Sequence, residues 1–470
     1  MPFMVVSSRQ ASATRNPLGA QKPPSVQDRV ETIESYLDRK YRELTLLNSC
    51  LASPLEVQKP ASIGIAIDRK FRLVAAIKAE LSLQSWAFTE TAWSSTRRAR
   101  SGPFEFSYGY QRADLHIHGP PIYPALWSPS TNIFQHTIYT GSGMSAMAAL
   151  LTALSRQRGS IQVLVPQGCY SETRELIESF GGLFRILPLE AWRSPSRPRE
   201  GITRVALLDS SIPTGFFGFL RMPPHDIDLV IFDTTCLWRS SARIQRVVNW
   251  AMRSMLPLAL VRSHAKLDCL GIEYGRLGSV AVAAPLRGIL SGRLGWITDL
   301  TRQTGDSVRL LGAAPIPANF PPFTGNSQFE RCSVARIAAI IRNNRRMARL
   351  LSAELGPKVV SAFQHGLYLT LTPSGNLSIA SAKQRAAVLC ERLLSSALPV
   401  SHAGSFGFDF VAIEWFADSS SRRNVVRVAA SDIPLALIDQ IAEELAREWI
   451  GLELTMKRSS HAIRNSNTFA

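Results

Sequence analysis

The 470-residue chain has no acidic residue before Asp28 and none after Glu453. Both ends are therefore basic, and together with scattered arginines they give a formal net charge of +17. Such a charge invites a nucleic-acid or anionic-membrane partner. The sequence lacks zinc-finger spacing, a helix-turn-helix pattern and a basic-aromatic ribonucleoprotein motif, so no specific nucleic-acid partner is expected. It also lacks the run of ~20 apolar residues that crosses a bilayer. The best candidate, Val247 to Val261, is broken by Arg253, and no membrane partner is expected. Six cysteines (Cys50, Cys169, Cys236, Cys269, Cys332, Cys390) stand far apart, with no C-x-x-C pair and no secretory leader. That spacing predicts reduced, mostly buried thiols in a cytoplasmic protein. Internal repeats and a nucleotide P-loop are absent as well.

What is present reads as an ordinary globular enzyme, 46% hydrophobic and 19% charged. Residues 1–27 read as a disordered basic tail. Val26 to Leu51 carries apolar residues at helical spacing (Val30, Ile33, Tyr36, Leu37, Tyr41, Leu44), and the rest of 28–130 is an irregular extension. From Gln135 to Ala284 short β-rich runs alternate with helical or looping segments: Ile161 to Pro166, Thr203 to Asp209, Ile227 to Asp233, Leu256 to Val261 and Ser279 to Ala284. Alternation of this kind predicts a mostly parallel sheet wrapped by helices, over 131–312. Four prolines between Ala313 and Thr324 mark a linker, 313–326. Behind it a long helix (Gln328 to Leu355), further strands and a last helix, Ile433 to Trp449, predict a small α+β domain over 327–455. A basic tail, 456–470, closes the chain.

Two strand ends carry chemistry. Asp233 closes one apolar run, and Lys266 follows another in Ser263-His264-Ala265-Lys266. Ligands of open α/β sheets bind outside the carboxyl ends of the strands, so an acid and an amine delivered there point to one site. Pyridoxal phosphate needs both: an amine for its aldehyde and an anion beside its ring nitrogen. A lysine placed at the end of a central strand is expected to be desolvated, which lowers its pKa. Gly141, Ser142 and Gly143 precede a helical run, where open backbone N–H groups and the helix dipole can hold a phosphate. The plainer reading of that turn is a helix cap. Tyr170 lies past the strand Ile161 to Pro166 and can stack on a flat ring, although aromatics at such places often only pack. Thr235 follows Asp233 and can reach the ring oxygen.

These segments resemble the fold-type I pyridoxal-phosphate enzymes, the superfamily of aspartate aminotransferase and of cysteine/methionine-metabolism enzymes such as cystathionine γ-synthase. Ser142-Gly143-Met144 resembles the latter group's phosphate turn, Tyr170 to Thr173 its ring-stacking element, and Asp233-Thr234-Thr235 its Asp-Asn-Thr. Tyr110-Gln111-Arg112 is similar to the element that reaches the neighbouring subunit's phosphate. Ser263-x-x-Lys266 is similar to the Schiff-base motif, and Val426 to Ser431 to the strand whose arginine, here Arg427, grips the substrate carboxylate. Pro213-Thr214-Gly215 and Arg276 resemble aminotransferase elements, with Arg276 a second phosphate ligand. The chain departs from the pattern where Ile212 replaces the ring-oxygen asparagine, leaving Ser211 or Ser210 as substitutes, and where Cys236 replaces a catalytic tyrosine.

The resemblance implies an α/β fold: a three-layer PLP-transferase large domain with a mostly parallel sheet, a smaller C-terminal α+β domain and an N-terminal helical extension. It implies pyridoxal 5'-phosphate as cofactor, an α-amino acid as small-molecule substrate, and a homodimer with shared active sites. Elimination or replacement at Cβ or Cγ in specialised biosynthesis is the expected chemistry. Transamination is the alternative. A cofactor-sensing transcriptional regulator is a further one, disfavoured because no winged-helix pattern occupies the first hundred residues.

Overall fold

The computed structural model describes residues 31–90, 99–108, 115–119, 132–157, 159–190, 201–212, 220–221, 226–418 and 423–466. Among them a seven-stranded sheet runs in the order β4 (Ile133–Thr140), β10 (Gly278–Pro285), β9 (Leu258–Ser263), β8 (Leu229–Asp233), β7 (Ile202–Asp209), β5 (Ser160–Val165), β6 (Phe184–Pro188). Only β10 runs against its neighbours. The inner strands are near-continuous apolar runs because helices cover both faces. Val205, Leu207, Leu229, Ile231, Ala259 and Val261 pack toward the helices Gly143–Ser155 and Trp296–Leu310. Their neighbours Ala206, Leu208, Val230, Phe232, Leu258 and Leu260 pack toward the helix Ala242–Arg253. The result is the three-layer α/β domain that the sequence led us to expect.

A second sheet, ordered β11 (Val360–Ala362), β12 (Leu369–Leu371), β15 (Arg423–Ala429), β14 (Val411–Asp418), β13 (Val400–His402), forms the core of the C-terminal part. One face carries Leu369, Leu371, Ile413, Val426 and Val428 against the helices Ser327–Leu355, Ile379–Ser395 and Leu435–Ser466. Its other face, with Ala412 and Ala429, packs through Phe406 and Tyr368 onto Leu267 and Cys236 of the large sheet's loops. The last helix continues to Ser466, past the Trp449 end expected from the sequence and through most of the expected tail, 456–470. Leu452 packing on the core and an Arg385 ion pair to Glu453 hold the added turns.

The extension holds two helices among the described residues, Ile33–Asn48 and Ile63–Glu90, the second of which was not foreseen. Thr32 caps the first by accepting the Ser35 N–H. Leu44, Leu47, Leu73 and Ile77 pack on Cys269, Leu270 and Tyr274, just beyond Lys266. A three-stranded sheet, β1 (Ala99–Ser101), β2 (Phe104–Tyr108) and β3 (Leu115–His118), leans Phe104 and Phe106 on Phe320. All six cysteines are free; Cys169, Cys269 and Cys390 are buried and the other three half-buried. Among the described residues no helix is long and apolar enough to cross a membrane.

Candidate functional site

Strand alternation decides which groups meet at the carboxyl edge of the large sheet. Asp209, Asp233 and Ser263 end β7, β8 and β9, two residues beyond Leu207, Ile231 and Val261. Side chains two apart share a face, so all three point toward the helix Gly143–Ser155. Asp209 and Asp233 are direct neighbours in the parallel register. The start of that helix closes on Ser263: a Cβ placed on Gly143 would lie 2.9 Å from the Ser263 Cβ. At Gly278, where β10 passes below the turn, any side chain would collide with the Ser142 carbonyl.

The acidic pair is fixed by backbone donors. Asp233 Oδ1 accepts the Thr235 N–H (2.8 Å), and Asp209 accepts the N–H groups of Tyr170 and Ser211 (both 2.7 Å). Burial holds both carboxyls above the usual range. That of Asp233, which keeps part of its surface open, is pushed up to about 6 by burial and by the Asp209 charge, while the Thr235 bond and Arg262 oppose the shift. Neither carboxylate has an ion-pair partner among the described residues. The buried Ser211 hydroxyl lies against the Asp209 carboxylate. Two adjacent buried acids with a hydroxyl beside them fit a ring that brings a positive nitrogen and an oxygen.

Lys266 comes from the loop after β9. Arg262 ties that loop to its neighbour: it bonds Asp268 through Nε (2.7 Å) and Nη2 (2.8 Å), and the Thr234 and Leu237 carbonyls through Nη1. His264 bridges Asp268 and Ser279 (2.8 Å each), and the Arg262 charge together with the His264 bond holds the Asp268 carboxyl well below its usual range against burial. The Lys266 amine donates to Ser405 Oγ (2.6 Å) and Glu273 (3.1 Å), and its side chain is 25% exposed. The expectation of a desolvated lysine is thus corrected. The loop turns its stem out of the sheet, where Glu273 and the C-terminal domain give it polar partners.

The phosphate turn is corrected in part. The Gly141 N–H is taken by the Ala313 carbonyl (2.8 Å), where the proline-rich linker passes. Ser142 is the helix cap, its Oγ accepting from Ser145 N (3.0 Å). The N–H groups of Gly143 and Met144 belong to the first turn, which has no intrahelical acceptor to offer them. Arg276 is exposed two residues before Gly278, which pairs with both Thr140 and Ser263, so it stands beyond the same edge. Tyr170 caps the next helix and feels the charges of Asp233 and Arg427. Thr235 Oγ1 accepts the Ser263 N–H (3.1 Å). Arg427 faces the same space, since its charge reaches Tyr170 and Cys236. Its guanidinium is already engaged by Glu414 (Nε to Oε1, 2.6 Å). Tyr110, Arg112 and Pro213-Thr214-Gly215 lie outside the described residues.

Asp209, Arg262, Asp268 and Glu414 were missed from the sequence. Asp209 alone left a signal, because it ends an apolar run as Asp233 does.

The fold is similar to that of solved structures at low sequence identity. The chain superposes on the crystal structure of metB from Corynebacterium glutamicum with a TM-score of 0.50 at 13% identity, over 76% of this chain and 92% of that one. Cystathionine gamma-lyase from yeast aligns at 13% identity and TM-score 0.46, over 67% of this chain and 81% of its own. A putative O-acetylhomoserine (thiol)-lyase from Campylobacter jejuni, carrying a pyridoxyl-lysine monophosphate, gives 13% and 0.48 over 66% and 81%. No family model and no curated protein matches the sequence.

Proposed function

We propose that the chain is a pyridoxal-phosphate-dependent enzyme that eliminates or replaces a group at Cβ or Cγ of an α-amino acid. The observation that carries this reading is the buried acidic pair Asp209/Asp233, unmatched by any described cation and set on one face with Ser263 and the helix start at Gly143. When bound, the cofactor supplies an aldehyde and a protonated ring that accepts the electron pair released at Cα. Asp233 keeps the proton on the ring nitrogen, and Ser211 Oγ bonds the ring oxygen. Tyr170 covers the ring face. Gly143 N–H, Met144 N–H, the Ser142 and Ser263 hydroxyls and Arg276 hold the phosphate. Lys266, now held by Ser405 and Glu273, is the amine that would bind the cofactor's aldehyde and would serve as general base toward the Cα proton.

The substrate carboxylate docks on Arg427. Burial holds the Cys236 thiol protonated, so it offers no base at neutral pH and Lys266 carries the proton transfer at Cα. Tyr110 and Arg112 of a second copy are proposed to complete the phosphate seat in a homodimer. Reconstitution with pyridoxal phosphate, followed by a screen of amino acids bearing a leaving group, tests the reaction class. Ammonia together with a keto acid, or a new thioether, is expected. Stoichiometric conversion to the aminated cofactor with neither product would make the chain an aminotransferase.

A further inference from the structure

Arg427 and Glu414 face each other across β15 and β14, on the side of the small sheet away from its helices. The pair is mostly enclosed, with side chains 13% and 16% exposed. The guanidinium lies over Phe416 at 4.6 Å and Tyr368 at 5.1 Å, which fixes its plane. Nε and Nη2 both donate to Glu414 Oε1. A guanidinium offers carboxylates two edges, the Nε/Nη2 side and the Nη1/Nη2 end. Glu414 takes the side. The end stays open, for Nη1 has no partner among the described residues.

We propose that Glu414 sets the charge the site accepts, by matching Arg427 in advance so that amino acids with a neutral or cationic side chain bind and those with a second carboxylate are rejected. The inference rests on Arg427 being the carboxylate seat. One bound carboxylate brings the Arg427–Glu414 pair to a net charge of −1, and a second brings it to −2. Like charges gathered in a partly dehydrated site repel one another. Glu414 also feels Lys266 from the loop after β9 and His402 from β13. Burial holds its carboxyl above the usual range although Arg427, Lys266 and His402 all pull it down. Anion binding beside such a group draws in a proton.

Calorimetric titration of the full chain with maleate, a dicarboxylate probe, tests the proposal. Glu414→Gln, of equal size, is expected to tighten maleate at least tenfold. In wild type, binding enthalpies in two buffers of different ionisation heat are expected to reveal proton uptake, a readout that needs no variant. Unchanged or weaker maleate binding in Glu414→Gln, or binding without proton uptake, overturns the proposal. Maleate affinity indifferent to Arg427→Ala overturns the carboxylate seat itself, and the proposal with it. The cofactor assignment is independent of that result.

Discussion

Two buried groups of charges differ in one respect, their balance. Beneath the N-terminal helices Lys40, Lys70 and Arg336 meet Glu43, Asp409 and Asp432, all 5% exposed or less. Lys40 reaches Asp409 at 2.9 Å and Asp432 at 3.1 Å, and Lys70 reaches Asp409 at 2.6 Å. Arg39 adds a fourth cation by bonding Asp432 (2.6 Å) and brings its own acid, Glu31 (2.9 Å), so the charges balance, and the cations hold the Asp409 carboxyl far below its usual range despite burial. At the strand ends Asp209 and Asp233 stand side by side with no such partner, and both carboxyls are held high. Charges matched by their own chain form a brace. Charges left unmatched mark the place of a ligand of opposite sign.

The brace also serves the site, since Lys70 bonds the Leu270 carbonyl, four residues after Lys266. Removing one of its charges has the largest expected effect. Lys70→Met leaves Glu43 and Asp409 underpaired in the interior and is expected to cost about 3–5 kcal/mol in chemical denaturation. A loss under about 1 kcal/mol would break the distinction, because a redundant network would then tolerate imbalance as well.

Asp233→Asn is expected to act in the opposite direction. In the unfolded chain the carboxyl titrates near 4, and in the folded one at about 6. The folded chain therefore binds more protons between those values, so stability falls as pH rises through that window and the penalty is complete above it. The cofactor-free variant should gain about 3 kcal/mol at pH 8, nothing at pH 4, and lose cofactor binding. Equal stability at both pH values would mean that the acidic pair is not strained. The smallest effect belongs to Arg276→Ala, an exposed side chain. Thermal stability should stay within about 0.5 kcal/mol, while titration shows pyridoxal-phosphate affinity falling about tenfold, as expected for one lost charged bond to phosphate.

Much of this arrangement was legible in the sequence. Strands buried on both faces are apolar runs of the right length, so their ends, and with them Asp233, Ser263 and Lys266, could be placed before any fold was seen. The helix Ile63–Glu90 was hidden because its burial is set by the loop after Lys266 and the linker, which it meets only in space. Glu414 was hidden for a related reason. Its role comes from cross-strand register with Arg427, and one sequence does not state register. The Arg262–Asp268–His264 network lies within seven residues, yet only the turn of the loop brings the three together. Gly141 was misread because its N–H partner, the Ala313 carbonyl, is far along the chain and meets it only in space.

Borohydride reduction of the full chain loaded with pyridoxal phosphate, followed by digestion and peptide mapping, asks where the aldehyde bonds. A phosphopyridoxyl group on Lys266, lost in Lys266→Ala and weakened in Asp233→Asn, is the expected result. Label that is absent from Lys266, or spread over surface lysines and indifferent to Asp233, would contradict the assignment of the strand-end acids and this amine to one cofactor.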